Sequence, residues 1–132
     1  MSEPSSELFV IDVTQPSPGL YVIALIGEMD IANAPEFAAR IAGLGATGSD
    51  RVVIDLSALT FLDSSGINAL VSAAKAIEAG GGEVTLAAPT SHIRQVFEIV
   101  HLSDVVSIEP SLEAALRQAG ESGRVGDPSL EA

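Results

Sequence analysis

Residues 52–87 read VVIDLSALTFLDSSGINALVSAAKAIEAGGGEVTLA, and this run decides the fold. Val52-Val53-Ile54-Asp55-Leu56 is a nearly continuous apolar run, the pattern of a strand buried on both faces. Asp63-Ser64-Ser65-Gly66 is helix-start chemistry. Ile67, Leu70, Val71, Ala74 and Ile77 follow at spacings of three and four and form one apolar stripe to about Ala79. Gly80-Gly81-Gly82 stops that helix. Glu83-Val84-Thr85-Leu86-Ala87 is a second strand. Strand, single helix, strand predicts a right-handed crossover and a parallel pair.

The same alternation continues outward. Leu8 to Val13 and Leu20 to Ile26 read as strands, joined by the turn residues Thr14 to Gly19, so residues 8–26 predict an antiparallel hairpin. Asn33 stands at a helix start with Pro35 in the first turn. Phe37, Ile41 and Leu44 share a face, and Gly43, Gly45 and Gly48 close the segment. Downstream, residues 90–100 predict a helix with Ile93, Val96, Phe97 and Val100 inward. Val105 to Ile108 is a short last strand, and Ser111 caps a final helix with Leu112, Ala115 and Leu116 inward. The order is β-β-α-β-α-β-α-β-α, an α/β chain with a largely parallel sheet. Residues 1–7 and 120–132 have the Ser, Pro, Gly and charged composition of loose ends, leaving one domain over residues 8–119.

Composition narrows the function. The chain has 132 residues, enough to bury a core without staples. Its lack of cysteine excludes disulfides, thiolate metal sites and cysteine nucleophiles. Eighteen acids against six lysines and arginines give a net charge of -12. Such a chain is repelled by nucleic acid and by anionic membrane surfaces. The polar, acidic start is unlike a signal peptide, and the longest apolar run, Leu20 to Ile26, is far short of the ~20 residues of a spanning helix. The expectation is a cytoplasmic protein with neither nucleic acid nor membrane as a partner.

Catalytic patterns are scarce. His92 and His101 sit in no metal-ligand motif and read as surface residues. There is no Gly-x-Ser-x-Gly elbow and no phosphate-binding Gly-Lys loop. No cofactor and no metal are expected. Two segments stand out instead. One is Gly27-Glu28-Met29-Asp30-Ile31-Ala32-Asn33-Ala34-Pro35, and the other is Asp63-Ser64-Ser65-Gly66. Each follows a predicted strand and opens a helix. Parallel strands would bring both to one edge of the sheet, where α/β folds place function.

These two segments, in this order, resemble the STAS-domain anti-sigma-factor antagonists of bacteria. Gly27-Glu28-Met29-Asp30 with Ala34-Pro35 is similar to the first signature of that family. Phe61-Leu62-Asp63-Ser64-Ser65-Gly66, followed by Ile67 and Leu70, is similar to the second. The resemblance covers roughly residues 8–119. It implies a small mixed, mostly parallel sheet of four to five strands with about four helices mainly on one face. It also implies a switch without catalysis of its own. In such proteins the serine after the aspartate, here Ser64, is phosphorylated by a partner anti-sigma factor that is an ATP-dependent serine kinase. The unphosphorylated form binds that factor and releases the sigma factor. Phosphorylation ends the binding and a PP2C-type phosphatase restores it. A non-switching STAS subunit of a transporter or a stress-signalling assembly is the alternative.

The residues themselves leave some choices open. At 100° per residue Ser65 points away from the helix's apolar stripe and Ser64 lies at its flank. The resemblance selects Ser64, with Ser65 as the alternate. Asp63 either caps the helix or orients the serine. Asn33 is a helix cap or a partner contact, and Asp55 makes a structural hydrogen bond or serves function. The expected partner surface comprises Glu28, Asp30, Asn33, Asp63, Ser65, Gly66, Asn68, Ser72 and Lys75. No lysine or arginine precedes Arg40, and none lies between Arg51 and Lys75. Both segments are therefore acidic without a local cation, which points to a cationic partner surface.

Overall fold

Among the described residues, five strands form one sheet in the spatial order β1-β2-β3-β4-β5. The computed structural model describes residues 9–45 and 50–125. The strands are β1 (Phe9–Ser17), β2 (Leu20–Met29), β3 (Arg51–Leu62), β4 (Glu83–Ala87) and β5 (Ser107–Glu109). The helices are α1 (Ala34–Gly45), α2 (Ser64–Ala79), α3 (Ser91–Ile99) and α4 (Leu112–Val125), with a single 3-10 turn at Leu102–Asp104. β1 runs antiparallel to β2, and every other neighbouring pair is parallel. This is the mixed, mostly parallel sheet expected.

The hairpin closes through Ser17-Pro18-Gly19-Leu20, where Ser17 pairs with Leu20 and Gly19 has φ 79°. Proline second and a positive-φ glycine third is type II turn chemistry. Alternation then sorts the strands' side chains. Ile23, Leu25, Val52, Ile54, Val84 and Leu86 face one way and pack with Phe37 and Ile41 of α1, Leu70 and Ile77 of α2, and Ile93 and Phe97 of α3. Leu20, Val22, Val53 and Ala87 face the other way and pack with Ala115 and Ala119 of α4. Among the described residues, three helices thus cover one face and α4 covers part of the other.

Several boundaries differ from the sequence reading, each for a local reason. β2 runs on to Met29 and β3 to Leu62, where loops were expected after Ile26 and Leu56. Beyond Asp55, β3 carries one extra residue at each of two irregularities in its pairing with β2. These bulges bring Leu56, Leu59 and Leu62 all into the same core, at a spacing that no regular strand shows. Gly27, at φ 105°, flanks the second bulge. The last strand starts at Ser107 rather than Val105, because residues 102–104 make the 3-10 turn. α4 continues past Gly120 to Val125, so the expected tail at 120 begins inside a helix. An isolated helical glycine costs about 1 kcal/mol and does not by itself end a helix. The expected loose ends at 1–7 and after 125, the strand start at Leu8 and the loop glycine Gly48 lie outside the described residues.

Ile54 is fully buried at the centre of the sheet, while Ile99 is 76% exposed. Truncating Ile54 leaves a cavity that its neighbours on β2 and β4 cannot close. Ile54→Ala is therefore expected to lower unfolding free energy by about 2–5 kcal/mol in urea denaturation. Ile99→Ala should stay within about 0.5 kcal/mol of the wild type.

Candidate functional site

The two unusual segments meet at the carboxyl ends of β2 and β3. Met29 pairs with Leu62, the last residue of each strand. The Asp63 N–H then donates to the Met29 carbonyl oxygen at 3.4 Å. The β2–α1 loop and the start of α2 therefore leave the same sheet edge side by side, as the parallel topology requires.

The β2–α1 loop is held from within by Asn33. Its side-chain oxygen accepts from the Asp30 N–H at 2.9 Å, and its amide nitrogen donates to the Glu28 carbonyl at 2.9 Å. Asn33 is only 9% exposed. Its backbone carbonyl accepts the first helical bonds of α1, from the N–H groups of Glu36 and Phe37. Its side chain, however, turns back into the loop instead of capping the helix. Asn33 thus holds the cap position through its backbone, and its buried side chain is a latch for the loop. Asp30 helps by accepting the Ala32 N–H on Oδ1 at 2.9 Å and the Ala34 N–H on its carbonyl at 2.8 Å. Glu28 and Asp30 remain half-buried beside it.

The α2 start is built by Asp63 and Gly66. Asp63 has extended backbone (φ -101°, ψ -173°), and its Oδ1 accepts the Gly66 N–H at 3.1 Å. It is the helix cap, half-buried, which resolves one of the choices the residues left open. Gly66 is buried, not part of an accessible surface. A Cβ at this position would run into Leu62 Cδ1 and stand 3.2 Å from the Met29 carbonyl oxygen. Glycine here lets the first turn of α2 sit directly on the ends of β2 and β3.

Between the cap and Gly66 lie the two serines, in different surroundings. Ser64 is exposed, whereas Ser65 is half-buried. Ser65 lines an open groove of about 350 Å³ between α1 and α2. Asn68 and Ser72 line the same groove and are exposed, and Lys75 lies exposed a turn further along α2. The opposite wall consists of Ile31, Ala34 and Pro35, which belong to the first of the two segments singled out in the sequence, and of Ala38, which does not. Ala38 carries no chemical signature, so only the packing of the two helices reveals its place in the wall. Asp55 lies apart from this site, at the β3–β4 end, with Oδ1 accepting the Ser57 N–H at 3.0 Å. That is a local structural hydrogen bond. Both histidines are exposed, and the described residues hold no cluster of metal-ligating side chains. No helix among them is long and apolar enough to cross a membrane.

The model of the STAS domain family matches residues 12–115. A protein of Bordetella bronchiseptica named as a putative anti-sigma factor antagonist, BtrV, is 33% identical over 97 residues, covering 74% of this chain and 84% of that protein. The anti-sigma-B factor antagonist of Bacillus subtilis is 26% identical over 107 residues, covering 81% of this chain and 96% of that protein. The crystal structure of an anti-sigma factor antagonist from Mycobacterium paratuberculosis superposes with a TM-score of 0.73 at 28% identity, covering 90% of this chain and 98% of that one.

Two substitutions test the construction of the site. Gly66→Ala must push Leu62 aside and should cost about 1–3 kcal/mol of stability in denaturant unfolding. Asn33→Leu leaves the Asp30 N–H and the Glu28 carbonyl without their partner and should cost about as much. Ser64→Ala, on an exposed hydroxyl, should remain within about 0.5 kcal/mol of the wild type.

Proposed function

The chain belongs to the STAS domain family, and on that footing we propose that it is an anti-sigma-factor antagonist switched by phosphorylation of Ser64. The observation that carries the reading is an exposed hydroxyl on the first residue of α2, beside an acidic loop held rigid by its own hydrogen bonds. The unphosphorylated surface binds an anti-sigma factor, and the sigma factor is released. The anti-sigma factor is an ATP-dependent serine kinase that phosphorylates Ser64, and a PP2C-type phosphatase removes the phosphate. The chain is a binder and a kinase substrate in the cytoplasm, with no catalysis of its own. The relatives' names support this reading, since the two given above are named as anti-sigma factor antagonists.

The local physics suits such a switch. A phosphate brings about -1.5 to -2 charges. At Ser64 it stands at the amino end of a 16-residue helix, whose free N–H groups and dipole tolerate an anion. Asp63 already caps Gly66, so the helix start needs no rearrangement to carry it. Asp63 directly precedes the position, Glu28 and Asp30 stand at the end of β2 and in the loop that adjoins it, and the nearest bases along the chain are Arg51 and Lys75. The phosphate therefore acts on the partner: it adds bulk and negative charge to a surface selected for a cationic one. Loss of about 4 kcal/mol would weaken binding roughly a thousandfold. Ser65 is the poorer acceptor because it is half-buried against α1.

The test is incubation with each purified anti-sigma kinase of the host cell and MgATP, read by intact-mass and peptide mass spectrometry. One phosphate should appear on Ser64, and none on Ser64→Ala. Label persisting in Ser64→Ala would contradict the site. Calorimetry should show binding of the unmodified chain and a loss of about a thousandfold for the phosphorylated one.

A further inference from the structure

We propose that the groove between α1 and α2 receives an amphipathic helix of the anti-sigma factor, oriented with its basic end toward Asp30 and Asp63 and its acidic end toward Lys75. This inference rests on the functional reading above and deepens it by naming the shape and polarity of what docks. The walls have helical periodicity. Ala34, Pro35 and Ala38 recur on one side and Ser65, Ala69 and Ser72 on the other. Residues 65 to 72 span two turns, or about 10 Å at 1.5 Å per residue. These small side chains leave an open trough between the two helices, with Asn68 also on its α2 wall and Ile31 at its rim. A third helix can lay residues at i, i+3 or i+4, and i+7 into it.

Two further observations identify the occupant. Ile31 is 75% exposed and stands at the rim of the trough, a large apolar side chain with no cover of its own among the described residues. It would close over an apolar side chain lying in the trough, as the edge of a docking surface does. The charges along the trough are also ordered. Its Ser65 end adjoins Asp63 and its Ile31 end adjoins Asp30, while Lys75 follows Ser72 by one turn at the far end. A helix with basic residues at one end and acidic residues at the other matches this order, and the reverse orientation does not. A second copy of this chain is disfavoured by the same charges, since the net charge is -12 and the lip is acidic.

The absence of cysteine gives a clean test, because a single introduced cysteine labels one position. The full chain is titrated calorimetrically with the anti-sigma kinase that phosphorylates it. Ser72→Trp, on an exposed position, should fill the trough and weaken binding about 30-fold without changing the circular dichroism spectrum. Lys75→Glu should weaken it several-fold, more at low salt than at high. The control Ile99→Ser, at an exposed site outside the groove, should bind as the wild type does. Ser72→Cys carrying a benzophenone maleimide should crosslink to an amphipathic helical segment of the kinase. Unchanged binding by Ser72→Trp, or a crosslink to an extended loop or to a second copy, would overturn this inference alone. A wild-type chain that bound none of the kinases would overturn it together with the functional reading.

Discussion

The site depends on how closely α2 approaches the ends of β2 and β3. The Met29 carbonyl accepts the Asp63 N–H, and the position that a Gly66 side chain would take is already occupied by Leu62. With no side chain at 66, the first turn of α2 seats on the strands. That seating fixes Ser64 outward and Ser65 toward α1. A wider approach would move the serines away from the β2–α1 loop and open the trough between the two helices. The arrangement of hydroxyl, acidic loop and groove follows from one close contact.

Rigidity on the other side comes from Asn33. Its amide is spent on the backbone of Glu28 and Asp30, so the loop keeps its shape without help from a partner. A preformed surface loses little conformational freedom on binding. It also confines the effect of a phosphate to what the phosphate itself adds. The two loops and the groove are thus a stiff platform.

Much of this was legible in the sequence, and the gaps have physical causes. The order of elements, the parallel core and the juxtaposition of the two segments followed from Val52–Leu56, the α2 stripe and Glu83–Ala87. The full lengths of β2 and β3 did not, because two bulges break the alternation by which strands are recognised and put Leu56, Leu59 and Leu62 at a spacing that resembles a helix. Asp63 was readable as a cap because its chemistry is local. Asn33 was not readable as a latch, since its partners Glu28 and Asp30 precede the helix it opens. Gly66 carries no turn geometry; its reason is a steric contact with Leu62 that only the packed structure reveals. That Ala34 and Pro35 form a groove wall together with Ala38 is silent in sequence for the same reason.

The central claim is that modification of Ser64 changes the surface and leaves the fold alone. The most direct measurement is a pair of ¹H–¹⁵N correlation spectra, of the unmodified and the singly phosphorylated chain. The account predicts shifts confined to the β2–α1 loop, the first two turns of α2 and the facing residues of α1. Amides of β4, β5, α3 and α4 should be unmoved. Shifts spread across the sheet and α4 would contradict it, and would show that the phosphate works by rearranging the protein.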